Sequence, residues 1–317
     1  MEQTDKGYFG DRSADRWFYD SGLFQEGKER GPRPNAVLSI LLFFCLWGGS
    51  LALGRLIATA SIGSMPDSGP IWISFALSLR KILICGTQIL VFFAWVRFVE
   101  KRRIVTMGFL CGHRAKAYWS GFLLGIGSVT VILSLLAVLG AVEIDLNRSF
   151  PPSVLAGTLC VAALGWMVQS ASEEIGIRGW LIPTLGRRYP PWAAVLLTGA
   201  AFGAIHLLGN GATVLSFLNL TLSGFFFALY AISAGNIWGV CGLHFGWNLS
   251  LGQIYGSIIS GEPSIDSSLL ITSGKGADVL TGGTFGPEGG LVTTLFLACA
   301  ILLIIILDRR KERTPPT

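Results

Sequence analysis

Charge is scarce in this chain. Asp, Glu, Lys and Arg make up 14% of its 317 residues, against about 25% in a soluble globular domain. That scarcity excludes an ordinary soluble fold. Histidine is scarcer still: there are three, His113, His206 and His244. The six cysteines, Cys45, Cys85, Cys111, Cys160, Cys241 and Cys299, form no CxxC pair. Most sit in apolar blocks, so they read as small buried hydrophobes rather than disulfides or metal ligands. The net charge is +5, but it does not point to nucleic acid. Membrane proteins gather Lys and Arg on cytoplasmic loops, and that accounts for a basic balance by itself.

Apolar sequence is what the chain has in abundance, at 51% of all residues. It is arranged in blocks of about 18–25 residues, the length that crosses about 30 Å of hydrocarbon. The expected fold is therefore all-α, a polytopic membrane protein with about eight transmembrane helices. The predicted spans are 36–54, 80–98 (or from 72), 118–141, 154–186, 191–209, 213–234, 236–258 and 291–307. The chain divides into a polar tail (1–35), the first three spans (36–150), a core (151–258), and a last part (259–317). That last part holds a Gly-rich connection, the final span and a basic tail. Residues 259–290 read as a flexible extracytoplasmic loop. The tail 1–35 has mixed charge, so the first apolar block is expected to be an internal anchor rather than a cleaved leader.

The cations set an orientation. They concentrate in the N-terminal tail (Lys6, Arg12, Arg16, Lys28, Arg30, Arg33), after span two (Arg97, Lys101, Arg102, Arg103), at Arg187–Arg188 and at Arg309–Lys311. With eight spans these all fall on one side, which is expected to be cytoplasmic together with both termini. The expected location is integral to the plasma (inner) membrane.

Against this background SASEEIGIRGW stands out, with Glu173, Glu174 and Arg178 inside an apolar run. Placing a charge in hydrocarbon costs about 2.5–3.5 kcal/mol on the insertion scale. Residues four apart share a helix face. Glu174 and Arg178 can thus pair along one face, while Glu173 is rotated by about 100° and is free to face another helix. His244 and Asn248 have the same spacing, as do Phe202 and His206. Glu173 and His206 lie nearly symmetrically about the Tyr189-Pro190-Pro191 turn, each about 20–25 Å from it along its helix, so they should be level. Span four is about 50 Å long at 1.5 Å per residue, which places the site toward the cytoplasmic side. A lone intramembrane histidine can equally be a satisfied interhelical hydrogen bond. What favours a site is that a carboxylate, two imidazoles and an amide can meet in one cavity among spans four, five and seven. Arg80 and Lys81 read as interfacial snorkellers, and Asn219 and Asn236 as packing or turn residues.

At these residues the sequence resembles the CPBP family of intramembrane endopeptidases. That family includes CAAX prenyl proteases and bacteriocin-processing or self-immunity proteins. Its pattern EExxxR, FxxxH, HxxxN reads here as Glu173-Glu174 to Arg178, Phe202 to His206, and His244 to Asn248. The resemblance covers about residues 150–255 and implies hydrolysis of peptide bonds in membrane-associated proteins or peptides. By it, Glu173 activates the water and His206 holds and polarises it. His244 and Asn248 stabilise the oxyanion, and Glu174, Arg178 and Phe202 support them. The implied partners are a membrane protein or peptide substrate and the lipid bilayer, with no nucleic acid.

No HExxH zinc signature is present. Glu173, His206 and His244 could still supply a His/His/Glu zinc site with an open position, which would leave Glu174 as the base. No metal or other cofactor is expected, and zinc stays as the open alternative. Two further readings use the same residues: a non-catalytic immunity or binding protein, and a proton-coupled transporter, since buried Glu and His also build proton relays.

Overall fold

The computed structural model describes residues 18, 20–26, 34–63, 69–263 and 267–313. The tail cations Lys6, Arg12, Arg16, Lys28, Arg30 and Arg33 lie outside the described residues. Every predicted span is a helix. We name them α1 (Ala36–Ile62), α2 (Pro70–Ala94), α3 (Arg114–Val138), α4 (Pro152–Glu174), α5 (Pro191–Ile205), α6 (Val214–Ala234), α7 (Trp238–Leu249) and α8 (Leu291–Arg313).

Local chemistry starts and stops these helices. Asn35 caps α1, its Oδ1 accepting from Leu38 N at 2.8 Å. Pro70, Pro152 and Pro191 open α2, α4 and α5, a position where the missing N–H does no harm. Thr213 and Ser216 form a capping box on α6. Gly235, left-handed at φ 66°, ends that helix, as only a residue without a Cβ does readily.

Among the described residues, six helices are long and apolar enough to cross a membrane: α1, α2 with its extension to Val99, α3, the Pro152–Gly186 rod that contains α4, α6, and α8 over Leu291–Arg310. The protein is a polytopic all-α membrane protein. The other two helices are short, and both carry motif residues. α5 has 15 residues, about 22 Å of rise. α7 has 12 and continues as a π-turn over Ser250–Ile254. His206 is the C-cap of α5, so the helix ends at a motif residue.

α3 and α7 pack backbone to backbone through glycines. A Cβ on Gly121 would run into the Gly239 carbonyl, and one on Gly125 into that of Leu243. From the other side, Gly242 faces the Tyr118 carbonyl and Gly246 that of Phe122. These are two GxxxG pairs, the small-residue pattern that lets membrane helices approach closely. His244 lies between Gly242 and Gly246, so this contact sets its depth.

The 259–290 connection differs from expectation, because it is folded rather than flexible. β1 (Val142–Leu146) pairs antiparallel with β2 (Leu270–Gly274), from Val142 opposite Gly274 to Leu146 opposite Leu270. Next, Asn219 Nδ2 donates to the Glu288 and Gly290 carbonyls at 2.8 and 2.9 Å, and Thr293 Oγ1 to that of Pro287 at 2.6 Å. Phe285 is buried at 1% exposure. Residues 264–266 lie outside the described residues. At the opposite end, a short helix Gly22–Glu26 buries Leu23 and Phe24, and Ser21 Oγ donates to the Ile232 carbonyl at 2.7 Å.

The glycine contact makes a stability prediction. Gly242→Ala should lower stability by about 3 kcal/mol, the upper end of overpacking costs, because its Cβ meets backbone rather than a movable side chain. Thermal unfolding in detergent reads this, with Gly127→Ala as control, since nothing lies near a Cβ there.

Candidate functional site

The site is built around one buried cation. α4 ends at Glu174 and continues as a π-turn over Ile175–Leu181, the wide turn often found at functional positions. Arg178 lies in that turn and is fully buried. Its Nη1 donates to Glu174 Oε1 at 3.0 Å and its Nη2 to the Gly224 carbonyl at 3.0 Å. The guanidinium also lies over the rings of Phe202 at 4.8 Å and Phe227 at 5.4 Å. The predicted Glu174–Arg178 pair is thus present, and Phe202 has a physical role beside it.

Glu174 does more than hold the arginine. Its Oε1 also accepts from His244 Nδ1 at 2.8 Å. That contact turns His244 Nε2 toward Glu173, 3.9 Å from its Oε2. His206 is fixed in the same way, its Nδ1 2.9 Å from the Phe202 carbonyl. Both rings therefore spend Nδ1 on orientation and leave Nε2 for the site.

Gln169 is the member that sequence reasoning missed. Its Nε2 donates to Glu173 Oε1 at 2.5 Å, and its Oε1 accepts from Asn248 Nδ2 at 2.8 Å. It bridges Glu173 and Asn248 from one turn earlier on α4. Its position four residues before Glu173 was the available signal. The other oxygen, Glu173 Oε2, is buried and has no hydrogen-bond partner among the described residues.

Glu173, Phe202, His206, His244 and Asn248 line one cavity of about 450 Å³. They were expected to meet, and they do. Glu173, His244 and Asn248 form its buried base, while Arg55, Asn210 and Glu262 are exposed at its rim. Asn210 and Glu262 sit in the connections after α5 and α7, the ends remote from the Arg187–Tyr189 turn. In the orientation that the cations predict, this end is extracytoplasmic. α5 ends at Ile205 rather than at residue 209, and the connection that follows it forms part of the mouth. The Lys81 ammonium lies over Trp166 at 3.9 Å, pairs with Glu262 at 3.1 Å and lines the cavity.

The zinc alternative can be tested on donor geometry. Glu173, His206 and His244 would have to converge on one ion. Among the described residues, no three His, Cys, Asp or Glu side chains are grouped in that way. No step below passes through a metal.

Residues 155–250 match the family model for Rce1-like type II CAAX prenyl endopeptidases. The matched stretch spans most of α4 through α7 and contains all seven motif residues. The protein is accordingly a membrane-embedded peptidase. Comparisons with curated proteins and with solved structures gave no match.

The two adjacent glutamates should respond differently to amide substitution. Glu174→Gln leaves Arg178 buried without its countercharge and should cost about 3–5 kcal/mol. Glu173→Gln removes an unpaired buried charge and should leave the unfolding midpoint unchanged or higher. Thermal unfolding of both variants measures the contrast.

Proposed function

We propose that the protein is an intramembrane endopeptidase in which Glu173 activates water for attack on a peptide bond of a membrane-associated protein or peptide. The observation that carries this reading is the state of Glu173. One oxygen is held by Gln169 and the other is buried with no hydrogen-bond partner among the described residues, at the base of a cavity and 3.9 Å from His244 Nε2. A carboxylate so placed is a ready proton acceptor.

The steps follow from the donors present. Water binds between Glu173 Oε2 and His206 Nε2, whose lone pair is free because Nδ1 faces the Phe202 carbonyl. Glu173 takes a proton as the water oxygen adds to the scissile carbonyl carbon. The carbonyl oxygen becomes an oxyanion and accepts from Asn248, which keeps one N–H beyond the bond to Gln169, and from Nε2–H of His244 as the imidazolium, whose Nδ1–H is taken by Glu174. Such donors contribute about 2.7–4 kcal/mol each in known oxyanion holes. Collapse then breaks the C–N bond, and the proton on Glu173 passes to the leaving amine. Glu174 and Arg178 orient His244 and carry no proton. Eight crossings, with α5 and α7 as the two short ones, put both termini on the basic side.

The test is comparative proteomics of membrane peptides from cells that make the wild-type protein or Glu173→Gln. Products present in the first should be missing in the second. Cleavage in vitro should fall by about 10²-fold or more, as expected when a general base is lost. A prenylated CAAX peptide, the substrate named by the matched family, forms a separate arm. Full activity in Glu173→Gln would sink the mechanism.

A further inference from the structure

The mechanism uses the α4, α5 and α7 walls of the cavity and leaves the α2 wall without a task. Lys81, Ile84, Cys85 and Gln88 line that wall, at spacings that put them on one helix face. Lys81, toward the rim, is answered by Glu262 and Trp166. Gln88 lies two turns deeper and is 2% exposed. Its Nε2 has no hydrogen-bond partner among the described residues. Its Oε1 is 3.5 Å from Ser172 Oγ, and Ser172 immediately precedes Glu173. An unpaired amide donor is thus held beside the proposed base.

Leaving a buried donor unpaired is costly, and apolar α2 offers no reason to keep one there. A peptide entering from a membrane brings the complementary need. Its backbone carbonyls lose water and must find donors inside the protein. His244 and Asn248 serve the carbonyl under attack, and the neighbouring carbonyl needs another. We infer that Gln88 is a substrate-binding residue, its side-chain N–H donating to the backbone carbonyl next to the scissile bond. This rests on the endopeptidase reading. The cavity then holds two orphaned atoms of opposite kind, Glu173 Oε2 for the water and Gln88 Nε2 for the peptide.

The test uses the full-length protein in detergent and internally quenched apolar peptides. Gln88→Leu should keep or raise the unfolding midpoint, because it removes an unpaired polar group, while kcat/KM falls about tenfold, the size of one neutral hydrogen bond. Gln88→Glu should be at least as impaired, since a carboxylate has no N–H to give. A peptide whose flanking carbonyl is replaced by methylene should lose about tenfold with the wild-type protein and nothing more with Gln88→Leu. A lower midpoint in Gln88→Leu would show a structural amide and overturn the inference. So would an equal loss from the methylene peptide in both proteins, or full activity in Gln88→Glu. If wild-type and Glu173→Gln proteins are alike on every peptide, the endopeptidase reading itself fails and this inference falls with it.

Discussion

Arg178 is a guanidinium with no access to solvent, inside a helix made of apolar residues. Everything around it answers that fact. Glu174 supplies the countercharge, α6 comes close enough for the Gly224 carbonyl to accept, and two aromatic faces cover the remainder. An ion pair in such surroundings gives little net stability, but removing either partner is severe. The pair thereby fixes α4, α5, α6 and α7 relative to one another. Glu174 Oε1 is committed to Arg178 and His244, and Glu173 is the glutamate of the two that lines the cavity.

A second constraint works through absence of side chains. The α3–α7 contact is built from glycines, so its geometry is set by backbone against backbone and tolerates little drift. That rigidity suits a helix that carries both His244 and Asn248. The rim is held by a different device. Ser260 has φ 47°, an uncommon conformation for a residue with a side chain. Its N–H and Oγ both donate to Glu288 Oε2 at 2.7 Å, and Glu288 Oε1 accepts from Trp247 Nε1 at 2.9 Å. Backbone strain at the cavity mouth is thus tied to the helix that bears His244.

The eight helices and the Glu174–Arg178 pair were legible in the sequence because both follow from local rules, apolar length and four-residue spacing. Convergence of Glu173, His206, His244 and Asn248 was legible because each stood out against an apolar background. The rest depends on contacts between distant positions. The order of 259–290 comes from Asn219, Trp247 and Ser260 reaching Glu288 and its neighbours, and a run of Gly and Ser carries no trace of that. Gln169 and Gln88 are uncharged and draw no notice until their partners, or the lack of them, are seen. The end of α5 was not legible either: the helix was expected to run on to residue 209, whereas it stops at Ile205.

The central claim is that the two adjacent glutamates have separate tasks, one holding Arg178 and one held free. Double-mutant cycles in thermal unfolding measure it directly, with Arg178→Met combined in turn with Glu174→Gln and with Glu173→Gln. The account predicts a coupling of about 2–3 kcal/mol for Glu174 with Arg178, with the double variant more stable than Arg178→Met alone, and a coupling within about 0.5 kcal/mol for Glu173. Equal couplings, or a larger one for Glu173, would contradict it.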